Sequence, residues 1–153
     1  MGNEGSPDTS DVFNHEPEAR PRYAEIVAFF GHLAYRVPPL RETLAQHLVE
    51  TQGEMLPHLL MDDVLEWLLD SVAEAPSDLM EATQILDTGY TLGSEALRHL
   101  FVVSLLEALP GFGGASNDPF GRGAAVRRAL GPVLTEVLVE LERYRRSGAQ
   151  PLG

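Results

Sequence analysis

The chain has 153 residues, 44% of them hydrophobic, and a formal charge of −12, which suits one globular domain large enough to bury a core. Cysteine is absent, so disulfides, thiolate metal sites and cysteine nucleophiles are excluded. No apolar run approaches the roughly 18 residues a membrane-spanning helix needs.

The charge is distributed unevenly. Residues 42–107 hold thirteen acidic side chains against Arg98 alone, a net −12, whereas residues 122–146 hold six arginines against three glutamates, a net +3. Lysine is absent, so every basic side chain is arginine. An acidic middle of this kind repels a phosphate backbone and argues against direct nucleic-acid binding. It favours either a basic partner or simple solubility.

Residues 1–20 are rich in Gly, Pro, Ser and acidic residues, with Val12 and Phe13 as their apolar pair. They are expected to form a disordered acidic tail. With neither a basic nor an apolar leader region in that tail, a soluble cytoplasmic protein is the expectation.

A helical domain is expected over residues 21–146, with a short disordered tail at 147–153. Its first helix runs from Pro21 or Arg22 to Tyr35, with Tyr23, Ile26, Val27, Phe30 and Leu33 at helical spacing. Pro38-Pro39 separates it from a second helix carrying Leu40, Leu44, Leu48 and Val49 and closing near Gly53.

The third segment, Pro57–Ala75, has the clearest pattern. Met61, Val64, Leu65, Leu68, Leu69 and Val72 share one arc, with Leu60 and Trp67 at its edge. Asp62, Asp63, Glu66, Asp70 and Glu74 lie opposite with no cation interleaved. Asp62/Glu66, Glu66/Asp70 and Asp70/Glu74 are like charges four apart, each costing roughly 0.2–0.5 kcal/mol in an isolated helix. This face is the candidate partner-binding surface. Trp67 reads either as an edge of the core or as a binding anchor, a role in which tryptophan is over-represented.

Pro76 ends that helix. A fourth is expected from Ser77 or Asp78, with Asp78 and Glu81 as a capping box, to Thr88, where Gly89 is a natural terminator. Ser94 caps a fifth, nearly all-apolar helix that Pro110 stops. Residues 111–123, GFGGASNDPFGRG, read as a long loop. A sixth segment from Ala124 breaks at Gly131-Pro132. The last helix places Val133, Leu134, Val137, Leu138, Leu141 and Tyr144 on one face, with Glu142 able to meet Arg145 or Arg146. The fold class is therefore all-α: an irregular single-domain bundle of five to seven helices.

The constellations that could carry chemistry are sparse. Glu54, His58 and Asp62 are spaced four apart, and imidazole with carboxylates can bind zinc, but Pro57 interrupts the spacing and His32, His47 and His99 stand singly on other segments. The plainer expectation is no metal site and a boundary His58 that hydrogen-bonds Asp62 or helps set the helix start. Ser104 and His99 are five apart, poor geometry for a nucleophile and its base. The glycine-rich loop lacks the phosphate-binding fingerprints, although Arg122, Arg127 and Arg128 could draw an anion there. The alternative reading is a flexible linker beside a solvated helix.

Two stretches, GEMLPHLLMDDVLEWLLD at 53–70 and LRHLFVVSLLEAL at 97–109, resemble small helical bacterial proteins of unassigned function, some of which are thought to be immunity proteins for polymorphic toxins. The matching positions are Leu56-Pro57-His58 and Ser104-Leu105-Leu106-Glu107. The resemblance implies a helical fold and a protein partner such as a toxin domain; it brings no catalytic residues or cofactor.

The function expected is a non-enzymatic acidic binding domain, of immunity or antitoxin type, that engages a basic protein through Asp62, Asp63, Glu66, Trp67, Asp70 and Glu74. The competing classes are a metal-dependent or anion-binding bundle enzyme centred on His58, and a structural or oligomerising subunit.

Overall fold

The computed structural model describes residues 19–148. The tail expected at residues 1–20 falls outside them except for its last two residues, which already belong to a helix. Of the tail expected at 147–153, Ser147 and Gly148 form a turn and the rest also falls outside. The described chain is a single all-α domain of seven α-helices without strands: α1 Ala19–Arg36, α2 Pro39–Glu50, α3 Pro57–Glu74, α4 Pro76–Leu92, α5 Glu95–Phe101, α6 Arg122–Ala129 and α7 Pro132–Arg146. A π turn, Val102–Leu106, continues α5, and a short 3-10 turn, Phe112–Gly114, lies in the loop before α6.

Proline starts four of these helices, α2, α3, α4 and α7. A first-turn N–H has no acceptor within its own helix, so proline loses nothing there and its fixed φ favours initiation. None of the four is capped by the side chain of its own N-cap residue. For α7 the missing acceptor comes from α4: the Asp87 carboxylate accepts from the Leu134 N–H at 2.7 Å and the Val133 N–H at 3.4 Å. Gly131 makes this approach possible, because a Cβ there would collide with that carboxylate. Arginines close two C-termini in the same cross-helix manner. Arg41 donates to the Ala34 and Tyr35 carbonyls at the end of α1 (3.0 and 2.9 Å), and Arg98 donates to those of Tyr90 and Thr91 at the end of α4, both at 2.9 Å.

Helix α3 occupies the middle. It packs against α2, α4, α5 with its π turn, and α6, while α1 packs on α2, α4 and α5, and α7 on α4 and the 3-10 turn. Its apolar arc supplies Leu60, Met61, Val64, Leu65, Leu68 and Leu69 to the core, and Leu68 is fully buried. Trp67 is partly buried at the edge, as the pattern predicts, whereas Val72, expected on the arc, is only partly buried and Leu60, expected at the edge, lies in the core. Phe101, Leu105 and Leu106 of the fifth segment are buried alongside, as expected of a nearly all-apolar helix.

Several local expectations are corrected. Residues Ala75 to Pro76 form only a kink between α3 and α4, so α4 begins on Pro76 and the Asp78/Glu81 capping box is not used. Helix α4 also runs through Gly89 to Leu92. Here glycine serves packing, because a Cβ at position 89 would overlap the Phe29 ring of α1. Ser94 does cap α5, accepting from the Leu97 N–H, and it is held in turn by the Glu25 carboxylate of α1. Val49 and Tyr144, expected on apolar stripes, are exposed at 73% and 39%, whereas Glu142 is buried. No helix among the described residues is long and apolar enough to cross a membrane.

Alanine normally exceeds glycine by about 1 kcal/mol in helix interiors. At Gly89 the sign should reverse: Gly89→Ala is expected to lower the urea midpoint, and Phe29→Leu in the same chain to restore part of it.

Candidate functional site

Helices α2 and α3 are joined by a short loop, and the buried His47 fixes their relation. The Leu56 N–H donates to His47 Nε2 at 3.0 Å. A backbone N–H can only donate, so Nε2 holds the lone pair and the ring proton sits on Nδ1. That nitrogen faces Asp63 Oδ2 at 3.7 Å. Tyr23 of α1 donates to the Met55 carbonyl at 2.9 Å and steadies the same loop.

So fixed, the two helices enclose an open groove of about 440 Å³. Asp63, Glu66, Trp67 and Asp70 line it from α3, and Glu42 and Glu50 from α2. Five carboxylates thus surround one half-buried tryptophan. Glu50 accepts from the Gln46 amide at 3.0 Å. Arg122, at the start of α6, donates to Asp70 at 2.8 Å across the α3–α6 contact. This pair corrects the expectation of a wholly uncompensated face, although both side chains are well exposed and such pairs contribute only about 0.2–1 kcal/mol.

All five predicted carboxylates of α3 are exposed, but they do not act as one row. Asp63, Glu66 and Asp70 join Trp67 in the groove, while Asp62 and Glu74 lie outside its lining. Glu42 and Glu50 are additions that the single-helix reading missed. Their signal was present, since Glu42, Gln46 and Glu50 repeat every four residues, but only the α2–α3 pairing shows which side of α2 meets α3.

Partial burial pushes the Asp63 carboxyl above the usual aspartate range, and the nearby Glu50 and Asp62 charges push the same way against His47. The native state therefore keeps a proton that the unfolded chain has already lost. Stability falls as pH rises from the ordinary aspartate value through the raised one.

The glycine-rich segment is not a loose linker. Asp118 accepts from the N–H groups of Gly123 at 2.9 Å and Ala124 at 3.0 Å, capping α6, and Asn117 Oδ1 accepts from Gly111 N–H at 2.6 Å. Phe112 is buried, with the Arg145 guanidinium over its ring. Glu142, reaching inward from α7, accepts from the Gly113 N–H and from Arg127 Nη1, both at 2.8 Å, and again from Arg127 Nη2. This replaces the expected Glu142 pairing with Arg145 or Arg146 along the helix. It also corrects the anion-site idea: Arg122 and Arg127 are engaged by carboxylates, leaving Arg128 exposed on α6. The Arg127 hydrogen bonds, helped by Gly113, hold the Glu142 carboxyl below the usual glutamate range despite its burial.

His58 does not bond Asp62. Its Nδ1 lies 2.5 Å from Ser104 Oγ, on the π turn, and its ring stands edge-on to His99 with centroids 6.5 Å apart. Ser104 is only 5% exposed. Among the described residues no three His, Cys, Asp or Glu side chains converge as a metal cluster. Comparison with known protein families, characterised proteins and solved structures finds no match.

Two outcomes are expected. Asp63→Asn should leave the domain at least as stable at neutral pH and flatten the decline of stability above the ordinary aspartate range, as read from urea midpoints across pH. Glu142→Gln should cost about 2 kcal/mol, the scale of hydrogen bonds to a charged group. Because the native Glu142 pKa is depressed, its stabilisation is complete above the unfolded glutamate value and lost as pH falls through the native one. The variant should therefore lose stability less steeply on acidification.

Proposed function

We propose that this chain is a non-enzymatic binding protein, an inhibitor of immunity or antitoxin type, whose α2–α3 groove and flanking carboxylates engage a basic protein surface. The observation that carries this reading is the groove itself, with Glu42, Glu50, Asp63, Glu66 and Asp70 around Trp67. A partly exposed indole beside carboxylates suits an arginine or lysine side chain, which can lie against the ring while its charge meets the acids. Asp62 and Glu74 extend the negative field along α3.

The placement of the cations supports the same reading. Arg41 and Arg98 are spent on helix ends, Arg36 on Glu81 at 2.7 Å, and Arg127 on Glu142. These arginines are thus engaged within the molecule and away from the groove, whose charged side chains are all carboxylates. Such an imbalance speeds encounter with a cationic partner and is screened by salt. The raised Asp63 pKa adds a pH dependence: an arriving cation favours its ionised form, so complex formation releases protons in mildly acidic buffer.

The test begins with a partner captured from the source cells by the full chain and purified. Association should slow steeply as salt rises. Replacing Asp62, Asp63, Glu66 and Glu74 together by their amides should weaken binding at least tenfold, as should Trp67→Ala, since anchor residues of this type are typically worth about 2 kcal/mol or more. A purified partner that binds the amide variant as tightly as the native chain, with no salt dependence, would exclude the reading.

A further inference from the structure

We propose that His58 and His99 form a two-histidine site for a borderline divalent transition ion (Zn2+, Ni2+ or Cu2+), with Ser104 as the residue that positions the His58 ring. His58 lies in the first turn of α3 and His99 on α5, both exposed. The chain separates them by 41 positions, and the bundle brings their rings to 6.5 Å, centre to centre, at 82°. Imidazoles bound tetrahedrally to one ion at about 2.1 Å per nitrogen stand roughly 5 Å apart. Closing the gap requires about 1.5 Å of movement shared between two surface rings.

The second observation is the contact between His58 and Ser104. A ligating imidazole characteristically uses one ring nitrogen for the metal and gives the N–H of the other to an oxygen, which sets both tautomer and orientation. Ser104 is buried, and its Oγ lies 2.5 Å from His58 Nδ1. A hydroxyl oxygen can accept the Nδ1 proton, leaving the lone pair on Nε2, on the far side of the ring. The π turn bears on this arrangement, because the Glu107 N–H reaches back five residues to the Val102 carbonyl at 2.9 Å and so shifts Ser104 from α-helical register. Turns of this kind are frequent at functional sites.

The donor set selects the ion. Two neutral nitrogens favour Zn2+, Ni2+ and Cu2+ over the oxygen-seeking Mg2+ and Ca2+. With no third side chain completing a cluster among the described residues, water fills the other positions and the ion is exchangeable. The net −12 of residues 42–107 raises the local concentration of any cation. A bound ion ties the start of α3 to α5, and neither histidine lines the acidic groove, so the site is distinct from that groove.

Calorimetric titration of the full chain with Zn2+, Cu2+ and Mg2+ in turn tests this. One equivalent is expected, with Cu2+ bound more tightly than Zn2+ and Mg2+ not competing. His58→Gln and His99→Gln should each weaken Zn2+ binding at least tenfold without altering the helical circular dichroism. Ser104→Ala should weaken it about tenfold while keeping both ligands. On adding Zn2+ the imidazole resonances of His58 and His99 should shift together, and the melting temperature should rise in the native chain only. Zn2+ affinity unchanged in both histidine variants, or equal competition by Mg2+, overturns the proposal, because the ion would then be held elsewhere or by the general acidity of the surface.

Discussion

Burial of one side of α3 is the constraint on which the rest of the structure depends. Leu60, Met61, Val64, Leu65, Leu68 and Leu69 form a continuous apolar arc in the middle of the chain, and removing it from water favours folding strongly. One neighbour cannot cover such an arc, so α2, α4, α5 and α6 all converge on it. Their arrangement leaves α3 a single outward side, and the carboxylates occupy it. The acidic surface is thus a consequence of core formation as much as of charge.

The polar contacts follow a related economy. Seven helices present many unsatisfied terminal N–H and C=O groups, and these must find partners. Here the partners come largely from other helices: Asp87 for α7, Glu25 behind Ser94 for α5, Arg41 for α1 and Arg98 for α4. Each such contact caps an element and fixes its neighbour. Arg41 and Arg98 are held at helix ends by these contacts and do not line the α2–α3 groove, whose charged side chains are all carboxylates.

The segment between α5 and α6 shows how a glycine-rich stretch becomes ordered. Asp118 and Asn117 satisfy its backbone from within, Phe112 anchors it in the core, and the Arg127–Glu142 pair clamps Gly113 against α7. Glycine frequency alone suggests mobility, yet the same absence of side chains lets backbone and carboxylate approach closely enough to bond. Just before this segment, the widened turn at Val102–Leu106 delivers Ser104 to His58. Helical periodicity carries no sign of that turn, because an extra residue in one turn moves only the register of what it presents.

By itself the sequence determined the all-α class of fold, a range of five to seven helices, most of the buried arc of α3, the start of α5 at Ser94 and the acidity of the middle third. These follow from short-range periodicity, from proline and from the bare count of charges, all of which act within one element. The tertiary structure decided which helix meets which. It placed Glu42 and Glu50 beside Trp67, gave Asp70 to Arg122 and Glu142 to Arg127, carried α4 through Gly89 against Phe29, and set His58 beside Ser104 and His99. These are contacts between residues that lie 15 to 60 positions apart in the chain. Helical spacing says which side of a helix a residue occupies, but the partner on that side is settled only when several apolar arcs pack at once.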